Sequence, residues 1–252
     1  MSQTFTRRHL LRGAASAALL SAGLTPALAA NREAGRFRTR PGAAKQSLAP
    51  GVHLLRNTNE RPSLLYLPPN YQPNTPLPLF VMFHGASGNG GRTLEQERAA
   101  ADEQGVILLC PSSRQGTWDA IRGDFERDFN VVDELLQETF DACAVDASHL
   151  AIGGFSDGAT YGLSLGLLNG DLFTHVIAHS PGFIISDAWQ GKPQVYVSHG
   201  RQDQVLPFDR CGAVIAARLE KEEYPLRFDV FDGGHVASPE LRSAALAWLK
   251  EG

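Results

Sequence analysis

The chain predicts a doubly wound α/β domain: a mostly parallel sheet of about eight strands, flanked by helices, with no large cap. Three observations carry this. From Gly51 onward, short apolar runs alternate with longer amphipathic stretches. Several runs, such as Val106-Ile107-Leu108-Leu109, are apolar at every position, as strands covered on both faces are. The 252 residues, with 43% apolar and 20% charged side chains, suffice for one large core. The same composition excludes a disordered tail, a collagen-like repeat and a disulfide-dense mini-protein.

Predicted strands cover 51–56, 63–67, 78–83, 106–110, 149–154, 175–179, 194–198 and 226–231. Predicted helices cover 93–104, 126–143, 157–169, 208–223 and 239–250. Thr93, with Gln96 three residues on, is read as the N-cap of the first helix, and Gly105 as its stop. No repeat or linker interrupts 51–252, so this stretch is read as one domain. The 14 residues 180–193, between two predicted strands, are too few to build a covering domain.

Two segments precede it. Residues 1–30 hold Arg7, Arg8 and Arg12 and no acid, then an uncharged stretch from Gly13 to Ala30 ending in Ala27-Leu28-Ala29. That is the anatomy of an export signal of twin-arginine type. Eighteen weakly apolar residues broken by Pro26 favour cleavage over anchoring, so a periplasmic or secreted product without stable membrane insertion is expected. Residues 31–50 mix Arg, Gly, Pro and Ala without periodicity and read as a flexible basic leader.

The whole chain carries a formal charge of -4, but the first fifty residues hold eight basic side chains and one acid. The body beyond is strongly acidic and repels a phosphate backbone, so nucleic acid is not an expected partner. Cys110, Cys143 and Cys211 are widely spaced, make no metal pattern, and are read as buried thiols.

The decisive segment is Leu150-Ala151-Ile152-Gly153-Gly154-Phe155-Ser156-Asp157-Gly158. An apolar strand runs into Gly-x-Ser-x-Gly, and a helix-compatible stretch follows. A nucleophilic serine must project from a very tight strand-to-helix turn, and Gly154 and Gly158 supply the room. The hydroxyl needs a base, and His235 in Phe231-Asp232-Gly233-Gly234-His235 follows a late strand. The imidazole needs a carboxylate to fix its tautomer. Asp203 in His199-Gly200-Arg201-Gln202-Asp203 supplies it; Asp232 is the rival, on too short a loop and after the wrong strand. An anion hole is expected from the backbone amide of Ala86, in Val81-Met82-Phe83-His84-Gly85-Ala86-Ser87-Gly88, together with that of Asp157.

With these motifs in place, the chain resembles the α/β-hydrolase superfamily over about residues 51–250. Within it, the chain resembles the small secreted esterases grouped with polyhydroxyalkanoate depolymerases, feruloyl esterases and carboxylesterases. Pro76 to Gly85, the Ser156 turn, His199-Gly200-x-x-Asp203 and Gly233-Gly234-His235 carry the likeness. The resemblance implies a serine esterase that acts on a small-molecule carboxylic ester through an acyl-enzyme, without cofactor or metal. An acyltransferase or peptidase using the same triad is the first alternative. A non-catalytic binding protein on this scaffold is the second.

Other side chains fall outside that chemistry. His84 is read as ordering the anion-hole loop, and His199 as structural. His175 and His179 share a strand face without a third ligand, so packing is preferred to metal binding. Trp118, in the loop after the 106–110 strand, is read as an aromatic wall for substrate, with a packing role as the alternative.

Overall fold

The computed structural model describes residues 34–46, 48–55, 61–123 and 125–251. The export signal assigned to 1–30 lies outside them. Eight strands form one sheet in the order β1-β2-β4-β3-β5-β6-β7-β8. They are β1 (Gly51–Leu54), β2 (Leu64–Leu67), β3 (Leu77–Phe83), β4 (Ile107–Cys110), β5 (Val145–Phe155), β6 (His175–His179), β7 (Gln194–Gly200) and β8 (Leu226–Phe231). The pairs β1–β2 and β2–β4 are antiparallel, and every other pair is parallel. This is the predicted doubly wound class.

Among the described residues, five α-helices cover the sheet: α1 (Gly90–Gln104), α2 (Arg127–Ala142), α3 (Asp157–Leu168), α4 (Gly212–Lys221) and α5 (Pro239–Trp248). The period-2 alternation of β3 divides the core into two layers. Leu79, Val81 and Phe83 pack with Leu135 of α2, Leu163 of α3 and Ile215 of α4. Phe80 and Met82 point the other way, with Leu94 of α1 and Leu246 of α5. Nearly every residue of α3 is buried, as befits a helix apolar on all sides.

Helix α1 starts one turn before the expected position. Asn89, not Thr93, is its N-cap, and the Asn89 side chain accepts from the Arg92 amide at 2.9 Å. Gly105 closes the helix in the left-handed region, as read from sequence. The 208–223 helix divides into a short 3-10 turn, Phe208–Arg210, and α4.

The stretch 34–46, read as part of a flexible leader, packs instead against the body. Phe37 is 2% exposed, with its ring against Phe129 and Phe173. Its amide donates to Asn169 Oδ1 at 2.8 Å, and Asn169 Nδ2 returns a bond to the Gly35 carbonyl at 2.7 Å. Arg36 and Arg40 both pair with Asp171. The basic charge that suggested a solvated tail is thus used against an acid of the body. Truncating a buried phenylalanine costs about 3–5 kcal/mol. Phe37→Ala is therefore expected to lower thermal stability by that amount, read by calorimetry. Wild-type stability would contradict the packing.

Residues 180–193 lie along α3 rather than over the sheet edge. Gly182 N donates to Thr160 Oγ1 at 2.8 Å, Ile185 N to Ser164 Oγ at 3.0 Å, and Gln190 N to the Leu167 carbonyl at 2.8 Å. No cap domain rises from this segment.

Candidate active site

Strands β3, β5, β7 and β8 run parallel, so their C-terminal ends share one edge of the sheet. Chain order reverses at β3, which lies between β4 and β5. Open α/β sheets bind ligands at such a switch point.

Ser156 sits between the end of β5 and the start of α3, with φ 58° and ψ −120°. A non-glycine residue held there costs on the order of 1–3 kcal/mol, and the surroundings must enforce it. They do so from both sides. Ser156 N donates to the His179 carbonyl at 2.9 Å, and Thr160 N donates to the Ser156 carbonyl at 3.0 Å. The glycines at the turn follow from the crowding. A Cβ on Gly158 would lie 2.1 Å from the Phe83 carbonyl oxygen, and one on Gly154 2.5 Å from the same atom.

The Ser156 hydroxyl lies 2.8 Å from His235 Nε2, and His235 Nδ1 lies 2.7 Å from Asp203 Oδ2. A carboxylate only accepts, so Nδ1 carries the proton, and Nε2 is left to accept from the serine hydroxyl. Burial of Asp203 opposes its ionisation. The hydrogen bonds from His235 and from the Leu206 and Val205 amides outweigh that and hold its carboxyl below the ordinary range. Asp232 is turned away: its side chain is 87% exposed and faces Arg201. The structure thus brings Ser156, Asp203 and His235 together and leaves Asp232 outside.

A cleft of about 330 Å³ opens over Ser156, with His235, Gly85, Ala86, Arg92, Phe155 and Val205 among its walls. Asp157 is the first residue of α3, so its amide belongs to a helix end without intrahelical acceptors. The loop that presents Ala86 is held from behind by His84. The His84 Nδ1–H donates to the Gly85 carbonyl at 2.7 Å, and its Nε2 accepts from Ser113 N at 3.0 Å. Burial lowers its pKa to about 4, so the ring stays neutral with both nitrogens committed.

Trp118 does not wall the cleft. It is 1% exposed, stacks on Tyr161 and donates from its indole N–H to the His84 carbonyl at 2.9 Å. Its place in the loop after β4 suggests a substrate wall, but the ring turns inward and braces the loop that carries Ala86. His199 is buried, and its Nε2 donates to the Leu206 carbonyl at 2.8 Å, closing the turn that holds Asp203. His179 is buried, with its Nδ1 on the Ser198 hydroxyl at 2.7 Å, and burial lowers its pKa to about 3. His175 is buried too, and burial lowers its pKa to about 4. Among the described residues, no three His, Cys, Asp or Glu side chains gather as a metal site, and all three cysteines are buried free thiols. No described helix is long and apolar enough to cross a membrane.

The sheet and this edge define an α/β-hydrolase of the serine esterase class. Residues 113–241 match the phospholipase/carboxylesterase family. The chain belongs to that family, and its activity is the hydrolysis of a carboxylic ester of a small molecule. A probable feruloyl esterase C of Aspergillus oryzae is 27% identical over 233 residues, covering 79% of this chain and 84% of that protein. The probable feruloyl esterase C of Aspergillus niger is 26% identical over 242 residues, with 82% and 87% covered. Among solved structures, an S-formylglutathione hydrolase from Staphylococcus aureus shares the fold with a TM-score of 0.64 at 17% identity, over 80% of this chain and 99% of that one. Esterase PE8 does so with a TM-score of 0.60 at 19% identity, over the same shares of the two chains.

Proposed function

We propose that the protein is an exported esterase in which Ser156, His235 and Asp203 cleave the ester through an acyl-enzyme. The observation that carries this is the continuous line of contacts from Ser156 Oγ to His235 Nε2, at 2.8 Å, and from His235 Nδ1 to Asp203 Oδ2, at 2.7 Å. Ser156 Oγ attacks the ester carbonyl carbon while its proton passes to His235 Nε2. The carbonyl oxygen takes the negative charge between the Ala86 and Asp157 amides. The tetrahedral adduct collapses, and His235 gives its proton to the departing alcohol. Water then loses a proton to His235 and attacks the acyl carbon, and Ser156 leaves with that proton restored. Asp203 stays ionised throughout and stabilises the imidazolium.

The substrate we assign is a dissolved ester with a short or aromatic acyl group. The cleft volume of about 330 Å³ and the apolar Met82, Phe155 and Val205 on its walls support this, as does the likeness to probable feruloyl esterases. The test is a panel of esters varied in acyl and alcohol parts, assayed with and without a serine-reactive phosphonate. Hydrolysis abolished by the phosphonate is the expected result, and phosphonate-resistant hydrolysis would overturn the reading. Since 180–193 lies along α3, no lid has to open at a surface. Rates on a triglyceride are therefore expected to show no jump as it passes its solubility limit. A steep rise there would contradict the open site.

The export reading rests on Arg7-Arg8 ahead of the weakly apolar stretch 13–30. Replacing both with lysine is expected to leave folded, active enzyme in the cytoplasm. Unchanged export of the double variant, read by fractionation, would refute the twin-arginine route.

A further inference from the structure

We infer that Glu97 and Arg242 form a buried tie that holds the His235 loop in register with the loop over Ser156, acting as positioning residues for the ester hydrolysis. The inference rests on the triad reading above. Glu97 lies on α1 and Arg242 on α5, the two helices that cover one face of the sheet. Arg242 Nη1 stands 2.9 Å from Glu97 Oε1, with the side chains only 9% and 1% exposed. The Arg242 Nε–H is spent elsewhere, on the Ala237 carbonyl at 2.8 Å.

These contacts join the two loops the chemistry needs in register. Ala237 is two residues past His235, on the short connection from β8 to α5. Helix α1 begins two residues after Gly88, so it is the continuation of the loop that carries Gly85 and Ala86. Its residues Arg92, Thr93 and Gln96 line the cleft, and Glu97 is the next residue, turned inward. One end of the ion pair is therefore built into the anion-hole side, and the other grips the backbone behind the base.

Stability gives no reason for the pair. Two buried charges repay their desolvation only in part, and apolar residues of similar volume do as well or better. Burial pushes the Glu97 carboxyl up to about 7 against the pull of Arg242. What an apolar pair lacks is a donor for the Ala237 carbonyl and a partner that fixes the guanidinium. A base displaced by even a fraction of an ångström loses its alignment with the serine hydroxyl, and turnover falls while ground-state binding does not.

The test uses the full-length protein and two variants. Glu97→Leu with Arg242→Met removes both charges at similar volume, and Arg242→Lys keeps a cation for Glu97 but lacks Nε. Melting temperature, kcat and KM on a soluble ester, and the rate of phosphonate addition are measured. The double variant is expected to melt close to the wild type while kcat falls about tenfold, KM stays within about twofold and phosphonate addition slows in step. Arg242→Lys is expected to lose kcat in the same direction. A folded double variant with wild-type kcat, or with its loss confined to KM, overturns the tie. Should the double variant not fold, full kcat in folded Arg242→Lys overturns it equally. Ser156→Ala run alongside separates the two levels. Retained activity there removes the triad itself, whereas an inactive Ser156→Ala beside a fully active double variant removes only the tie.

Discussion

Asp203→Asn is expected to lower turnover by on the order of 10²–10⁴, with the fold intact. The amide keeps the shape of the carboxylate, and its oxygen can still take the Val205 and Leu206 amides that now bond Oδ1 at 2.9 and 2.8 Å. Its nitrogen then faces His235 Nδ1 and donates where the carboxylate accepts. The imidazole is driven to the other tautomer, with a hydrogen on Nε2 and no lone pair for the serine proton. Asp232→Asn is expected to cost less than about tenfold, the scale of one weak supporting contact. That side chain is exposed and faces Arg201, not His235. Greater damage in the Asp232 variant, with both proteins folded by circular dichroism, would break the assignment of the acid.

Much of this architecture is legible in the residues because burial on both faces leaves a plain trace. Ile107–Leu109 and Leu150–Ile152 lie in β4 and β5, and the expected bounds 175–179 and 226–231 are those of β6 and β8. The turn at Ser156 is legible for a steric reason, since only glycine fits against the Phe83 carbonyl at 154 and 158. What the chain hides is set by contacts distant in sequence. Phe37 stands alone among Arg, Gly and Pro, and nothing nearby announces that Asn169, Asp171 and Phe173 wait for it. The start of α1 is hidden by Gly90 and Gly91, poor helix formers that a side-chain cap from Asn89 brings into the helix.

Trp118 shows a second limit. Its loop position is legible, but the direction of its ring is decided by Tyr161 on α3 and the His84 carbonyl on the loop after β3. Glu97 and Arg242 show a third. A charge on an amphipathic helix reads as solvated unless its partner is known, and here the partners lie on α1 and α5, far apart in the chain. The residues proposed to react are legible one by one because each follows the end of a strand. Of the groups that brace them, His84 is legible from its place beside Gly85, whereas the bracing by Trp118, Glu97 and Arg242 is a property of the packing.

Ser156 is proposed as the covalent centre. Ser156→Ala is expected to lose on the order of 10⁴–10⁶ in turnover, as nucleophile removal does in other triad hydrolases. Activity alone leaves open whether the serine reacts or merely binds, so the direct measurement is covalent. The wild-type protein is incubated with a fluorophosphonate and weighed intact, and the labelled peptide is then sequenced. One adduct per chain is expected, located on Ser156, and no adduct on Ser156→Ala under the same conditions. Label on any other serine, or undiminished labelling of Ser156→Ala, would contradict it.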